Sequence, residues 1–202
     1  FPYTTLFRSS NLQPWLFYWI KTEAVKKEIS KAAFDQNAAK TAPVLIVVGA
    51  NPQIRKDHAK KLLELLKERG LNTPIADNYY KKIAPLIYLQ GPFGSVGLLK
   101  KIVFGIVGLF RPVPRFPFGK SQLEVWAQKS TALACENIML GFRAAGYDSC
   151  PMEGYDEKRV KRILNIPRRV KLTMIIAAGR RAPDGLYGPS VRFPRKDFVK
   201  II

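Results

Sequence analysis

Two β-branched stretches constrain the fold of this chain more than any other feature: the uncharged "APVLIVVGA" (residues 42–50) and "VKLTMIIAAG" (residues 170–179), apolar but for Lys171 and Thr173 near its start. A strand that is apolar at nearly every position has little to give to water on either face. Both therefore read as strands buried on both faces, which requires helices above and below the sheet. "PWLFYWI" (residues 14–20) is a third apolar run of strand length. Between these runs the period changes to 3.6. Thr22 caps "TEAVKKEISKAAF", with Glu23 in the first turn and Val25, Ile29, Ala32 and Ala33 on one side. "PQIRKDHAKKLLELLKERGLN" turns Leu62, Leu63, Leu65 and Leu66 inward and stops at Gly70. "KSQLEVWAQKSTALACENIMLGFRAAG" is the longest helical pattern; from Ala132 to Phe142 it is apolar nearly all round, so it is expected to be a central buried helix. "DEKRVKRIL" is a short helix. The order is β-α-β-α, an insertion, then α-α-β and a tail. It predicts an α+β (α/β sandwich) domain, a sheet covered by helices.

The insertion, residues 86–118, breaks the pattern: "LIYLQGPFGSVGLLKKIVFGIVGLFRPVPRFPF" is rich in Gly, Pro and aromatics. Its apolar centre is shorter than the roughly 20 residues that a bilayer requires. Lys100, Lys101, Arg111 and Arg115 flank it. It fits an interfacial membrane contact, a lid over an apolar ligand pocket, or a plain buried helix with a Pro-rich exit.

Charge and composition narrow the chemistry. With 34 Lys and Arg against 15 Asp and Glu, the 202-residue chain carries a formal charge of +19. That surplus suits a polyanionic partner or a solvated basic surface, because the cations are scattered. Two cysteines, Cys135 and Cys150, are too few for a disulfide framework and suit a reducing compartment. The single histidine, His58, excludes a His-rich metal site. In "IRKDHAKK" it reads as a solvated surface residue. No basic start followed by an apolar stretch marks a secretory signal, so a cytoplasmic location is expected.

Three distant stretches need a common account: "SNLQPW" at residues 10–15, "AAGYDSCPMEGYDEKRVKRIL" at residues 144–164, and "GPSVRFPRKDFVKII" at the end. In this order they resemble the flavin-dependent nitroreductase family. The resemblance covers nearly all of residues 10–202 outside the insertion, read as a single domain. It implies a central, mainly antiparallel sheet flanked by helices, and a C-terminal strand swapped to the other subunit of a homodimer with FMN at the interface. The implied reaction is FMN-dependent: NADH or NADPH donates a hydride, and a nitroaromatic, quinone or other electron-poor compound takes the electrons in a separate half-reaction. Such chemistry needs no catalytic acid from a side chain. The implied cofactor-binding residues are Asn11, Gln13, Pro151, Met152, Glu153, Gly154 and Arg192, with no metal. Asn11 offers an amide that donates and accepts at the flavin edge or the ribityl chain. The Glu153 and Gly154 N–H groups would point at the ring, and Gly154 would let the backbone approach it. Glu153 would also begin the next helix, where a carboxylate favours the positive end of the dipole. Arg192 would hold the phosphate. Arg195 and Lys196 read as a solvated face, and Tyr79, Tyr80, Phe93 and Phe104 as packed or substrate-stacking aromatics.

Residues 1–9 have neither period. "FPYTTLFRS" is the translation of TTT CCC TAC ACG ACG CTC TTC CGA TCT, a short-read sequencing adapter. The stretch is therefore expected to be an artefact fused to an N-terminally truncated metagenomic fragment that lacks the family's Arg/Ser-rich first helix, and Arg8 is not counted as a phosphate ligand. The alternative from another class is a non-enzymatic basic protein bound to nucleic acid or an anionic membrane. It accounts for the charge but not for the three motifs.

Overall fold

The structure, a computed structural model, describes residues 9–183, 185 and 188–202. Residues 1–8, most of the adapter-like stretch and its Arg8, lie outside the described residues.

The sheet has four strands in the order β1-β2-β4-β3: β1 is Trp15–Ile20, β2 Val44–Ala50, β3 Asp148–Met152 and β4 Lys171–Gly179. Every pairing is antiparallel. As expected, the two β-branched runs take the central positions. Leu45 and Val47 of β2 enter one core with Ile175 and Ala177 of β4, while Ile46, Val48 and Ile176 enter another on the opposite face. The first core is closed by α1 (Glu23–Ala32), α2 (Asn37–Thr41) and α8 (Glu157–Ile163). The second is closed by α7 (Lys120–Ala144), through Cys135, Ile138, Met139 and Phe142. At the end of the sheet, Leu12, Ala50, Ala59, Tyr88, Leu123, Trp126 and Ala127 form a third cluster, reached by α3 (Arg55–Glu68) and α5 (Ala84–Tyr88). A short helix, α4 (Pro74–Asn78), and a π-turn, Tyr79–Ile83, lead into α5, and α6 (Ser95–Val107) follows.

The structure corrects the sequence reading at four places. The element order omits β3, which lies between α7 and α8 and runs through Pro151 and Met152. Helix α7 is not buried all round in the single chain: Val125, Leu133 and Leu140 are exposed along one side. Helix α6 is not a buried helix either, since Leu98, Leu99, Ile102, Val103 and Ile106 are all exposed. The strand-like tail "DFVKII" forms no strand in the single chain; after β4 the described residues hold only a 3-10 turn, Arg195–Asp197, and are exposed. No helix among the described residues is long and apolar enough to cross a membrane. Both cysteines are free, Cys135 buried and Cys150 exposed.

Candidate cofactor site

The register brings two of the three motifs to one end of the sheet. Trp15 opens β1 opposite Ala50, Ala50 lies opposite Lys171 at the start of β4, and β3 ends at Met152 opposite Ile175. Residues 11–13 therefore lead into the first edge strand at the same end at which residues 153–156 leave the other. Three strand spacings separate the two edges, about 14 Å.

The segment before β1 is held in an unusual conformation. Ser10, Asn11 and Gln13 all have positive φ, at 72°, 49° and 47°, a region in which non-glycine residues persist only when the surroundings fix them. The fixing contacts are visible. The Leu12 side chain is only 2% exposed within the end cluster. The Leu12 carbonyl meets Nδ1 of His58 at 2.9 Å, and the Asn51 N–H donates to the Pro14 carbonyl at 2.7 Å. The Ser10 hydroxyl contacts the Tyr79 hydroxyl and lies 3.1 Å from that of Tyr88. The Tyr88 ring packs against Trp126, and burial pushes its pKa up. With Leu12 as the anchor, Asn11 and Gln13 stay half-exposed on either side of it.

The second segment is a turn, not a helix start. Helix α8 begins at Glu157, and Asp156 caps it by accepting the Arg159 N–H at 3.0 Å. Glu153 is thus free of the capping role expected for it. The turn is tied down by Gln36, which donates to the Gly154 carbonyl at 2.6 Å, and by the Asp156 N–H, which donates to the Ala32 carbonyl at 2.8 Å. Among the described residues no backbone acceptor takes the N–H of Glu153 or of Gly154. A Cβ at Gly154 would sit 3.3 Å from Gln36 Nε2, so the missing side chain also makes room for that clamp. Pro151 is exposed, whereas the Met152 side chain is buried in the sheet core and offers a ligand only its backbone.

Beside this turn lies a cleft of about 430 Å³, lined among others by Gln128, Lys129, Glu153, Tyr155 and Thr173. Sites for drug-sized ligands run from about 300 to 1,000 Å³. The Thr173 hydroxyl is buried with no hydrogen-bond partner, which is costly unless a ligand or water supplies one. Burial, with the charges of Glu157 and Glu153, pushes the Tyr155 phenol far above its ordinary pKa. Lys129 stands over the Phe116 ring at 4.7 Å and leaves a cation at the rim.

The third motif is not brought in. Arg192 is exposed in the tail, and among the described residues its guanidinium donates only to the Val191 carbonyl beside it, at 2.8 Å. His58, expected as a solvated surface residue, is instead half-buried against the Leu12 carbonyl, and Thr173 and the Ser10–Tyr88 pair went unread in the sequence. Tyr79 packs edge-on against Tyr80, Phe104 packs against Phe118, and Phe93 is exposed.

Against a flavin, the two adjacent N–H groups without backbone acceptors, with the orphaned Thr173 hydroxyl buried beside the cleft, suit the acceptors of the pyrimidine edge, while the half-exposed carboxamides of Asn11 and Gln13 stand at the other sheet edge, within the span of the rest of the molecule. These residues fit the ring; the described residues do not assemble a comparable cationic grip for a phosphate.

Known proteins resemble this chain over most of its length. The Nitroreductase family model matches residues 8–180, a range that ends before Arg192. The chain is 28% identical over 178 residues to Protein DrgA of Synechocystis sp., covering 87% of this chain and 68% of that protein. It is 24% identical over 189 residues to an NADH dehydrogenase of Thermus thermophilus, covering 94% and 76%. The structure superposes with a TM-score of 0.70 on ydfN of Bacillus subtilis, at 23% identity, covering 96% of this chain and 80% of that one.

Proposed function

The chain belongs to the nitroreductase family, and from that premise we propose that it reduces nitroaromatics, quinones or similar electron-poor compounds with electrons from NAD(P)H. Family membership makes it an oxidoreductase with FMN as cofactor and NAD(P)H as donor. The observation that carries the site assignment is the pair of N–H groups at Glu153 and Gly154 facing no backbone acceptor, beside a cleft with an orphaned Thr173 hydroxyl.

Bound FMN supplies the hydride chemistry between donor and acceptor. The residues of this chain then have distinct tasks. The Glu153 and Gly154 N–H groups would hold the electron-rich edge of the ring, and the Gln36 clamp on the Gly154 carbonyl fixes the turn that carries them. Asn11 and Gln13 would bind from the opposite edge of the sheet, displayed by the buried Leu12. Thr173 would donate from the floor of the cleft. Pro151 shapes the exit from β3, and Met152 anchors that exit in the core. Arg192 would reach the phosphate only if the tail moved onto the site.

Dimerisation supplies a reason for such movement. The exposed stripe Val125, Leu133 and Leu140 on α7, together with a tail that exposes Val191, Phe193, Phe198 and Ile201, is the surface expected of a chain that packs against a second copy. The tail of one subunit would then lie on the other, next to an open sheet edge.

The test is steady-state oxidation of NADH and of NADPH by FMN-loaded protein with a nitroaromatic and with a quinone as acceptor. Turnover that depends on both acceptor and added FMN is expected, and Thr173→Val should lower it. Nicotinamide oxidation indifferent to the acceptor would contradict the proposed acceptors.

A further inference from the structure

Helix α6 is built inside out. Its inner side carries Gly97, Lys100, Phe104 and Val107, while Leu98, Leu99, Ile102, Val103 and Ile106 face outward and exposed. The charge that would ordinarily point to water is turned inward: Lys100 Nζ donates to the carbonyls of Leu86, Ile87 and Leu89 at 2.7, 3.0 and 2.5 Å. Burial, aided by the charge of Arg55, lowers its pKa.

The helix cannot roll to hide its apolar side. Gly97 lies so close to the exit segment that a Cβ there would come within 1.8 Å of the Phe118 carbonyl, and Phe104 packs against Phe118 with ring centres 5.8 Å apart. Those contacts and the three Lys100 bonds fix which side faces out. The outward face is extended at its ends by Phe93, Leu109 and Phe110, all exposed. A contiguous apolar patch of this kind marks an interaction surface.

The rim of the patch names the partner. Between Asp77 and Glu124 the chain contains no acidic residue, and every charged side chain is Lys or Arg. Lys101 borders the outward face, and Arg111 and Arg115 follow its C-terminal end. None of these three makes an ion pair among the described residues. Two copies meeting α6 to α6 through this face would set the unpaired Lys101, Arg111 and Arg115 of one against those of the other, which is unfavourable. An anionic lipid surface matches both halves of the design: acyl chains take the apolar face, headgroups take the cations, and exposed aromatics suit the boundary between them. At 13 residues α6 is about 20 Å long, enough to lie in the interface and too short to cross it.

We propose that α6 and its basic flanks dock the protein on an anionic membrane surface, with the helix axis parallel to the membrane plane. This inference does not depend on the flavin assignment.

The experiment is flotation of the full chain with vesicles of equal parts phosphatidylglycerol and phosphatidylcholine, and with phosphatidylcholine alone, at low and high salt. The chain is expected to float with the anionic vesicles at low salt and to be released by salt. Ile102→Glu with Ile106→Glu should abolish flotation. Lys101→Gln with Arg111→Gln should weaken partitioning roughly thirtyfold, at about 1 kcal/mol for each cation near the surface and tenfold per 1.4 kcal/mol. All four side chains are exposed, so circular dichroism and the thermal midpoint should be unchanged, which separates lost docking from lost folding. Absence of flotation, equal flotation with neutral vesicles, or flotation unaffected by both variant pairs would overturn the proposal. So would a wild-type chain that ignores vesicles and sediments as a dimer that the glutamate pair splits, because the face would then belong to a second copy.

Discussion

Leu12 is the residue on which the front of the site turns. Its side chain fills the end cluster, and its carbonyl meets His58, so the two carboxamides beside it are presented rather than merely present. His58 was read as a surface residue because its neighbours in "IRKDHAKK" are charged; its partner lies 46 positions away, and local sequence does not carry a bond of that range. The prediction at this scale is that His58→Ala leaves the Leu12 carbonyl without its partner. It should cost about 1 kcal/mol in chemical denaturation and weaken FMN binding several-fold, while leaving α3 intact by circular dichroism. Unchanged FMN affinity would remove His58 from any positioning role. Thr173 escaped notice for a related reason: a hydroxyl in a buried strand is ordinary in sequence, and only the cleft beside it leaves the group unpartnered.

Among the elements, the central strands were legible because burial on both faces demands apolar residues at nearly every position, Lys171 and Thr173 at the start of β4 being the exceptions. Edge strand β3 was missed from the element order because "DSCPM" pairs on one side only, which tolerates both Ser149 and Pro151. The start of α8 illustrates how one carboxylate links two elements. Glu157 accepts the Leu172 N–H at 3.2 Å and pairs with Lys161 at 2.6 Å. Burial pushes its pKa upward, but the Lys161 bond, the Leu172 N–H and the charges of Lys161 and Lys171 outweigh that and hold it below the ordinary 4.5. A carboxyl depressed in the folded state stabilises the fold above its unfolded pKa and stops doing so as pH falls through the folded value. Glu157→Gln should therefore lower the thermal midpoint at neutral pH by no more than about 4 °C for a pair whose carboxylate is part-exposed to solvent, and the difference from wild type should close below about pH 4. A constant difference across that range would deny the linkage. Lys100 is the corresponding device for α6. Lys100→Met should remove three charge-assisted bonds, at about 1.5–3 kcal/mol, and raise amide exchange selectively across Ser95–Val107. Unaltered exchange there would mean that packing on Phe118 holds the helix alone.

The whole molecule separates what the family explains from what it does not. Membership accounts for the antiparallel sheet, the helices on both faces and the turn that follows β3. Residues 86–118 were legible as an anomaly, but not as carrying an outward-facing helix, because the deciding facts are three-dimensional: Lys100 turned inward and Gly97 pressed on a carbonyl. The exposed side of α7 has the same character; a sequence apolar all round implies burial without saying whether the cover comes from its own chain or from another. Arg192 marks the limit of motif reading, since its position in a tail leaves its destination to the assembly.

The account stands first on FMN binding at the end of the sheet. The decisive measurement is an FMN titration of the purified chain, followed by quenching of flavin fluorescence, beside Asn11→Ala and Thr173→Val. The account predicts saturable binding in the wild type and a several-fold weaker affinity in each variant, with folding unchanged. Saturable binding with the same affinity in both variants would place the flavin elsewhere, and no saturable binding by the wild-type chain would contradict the site altogether.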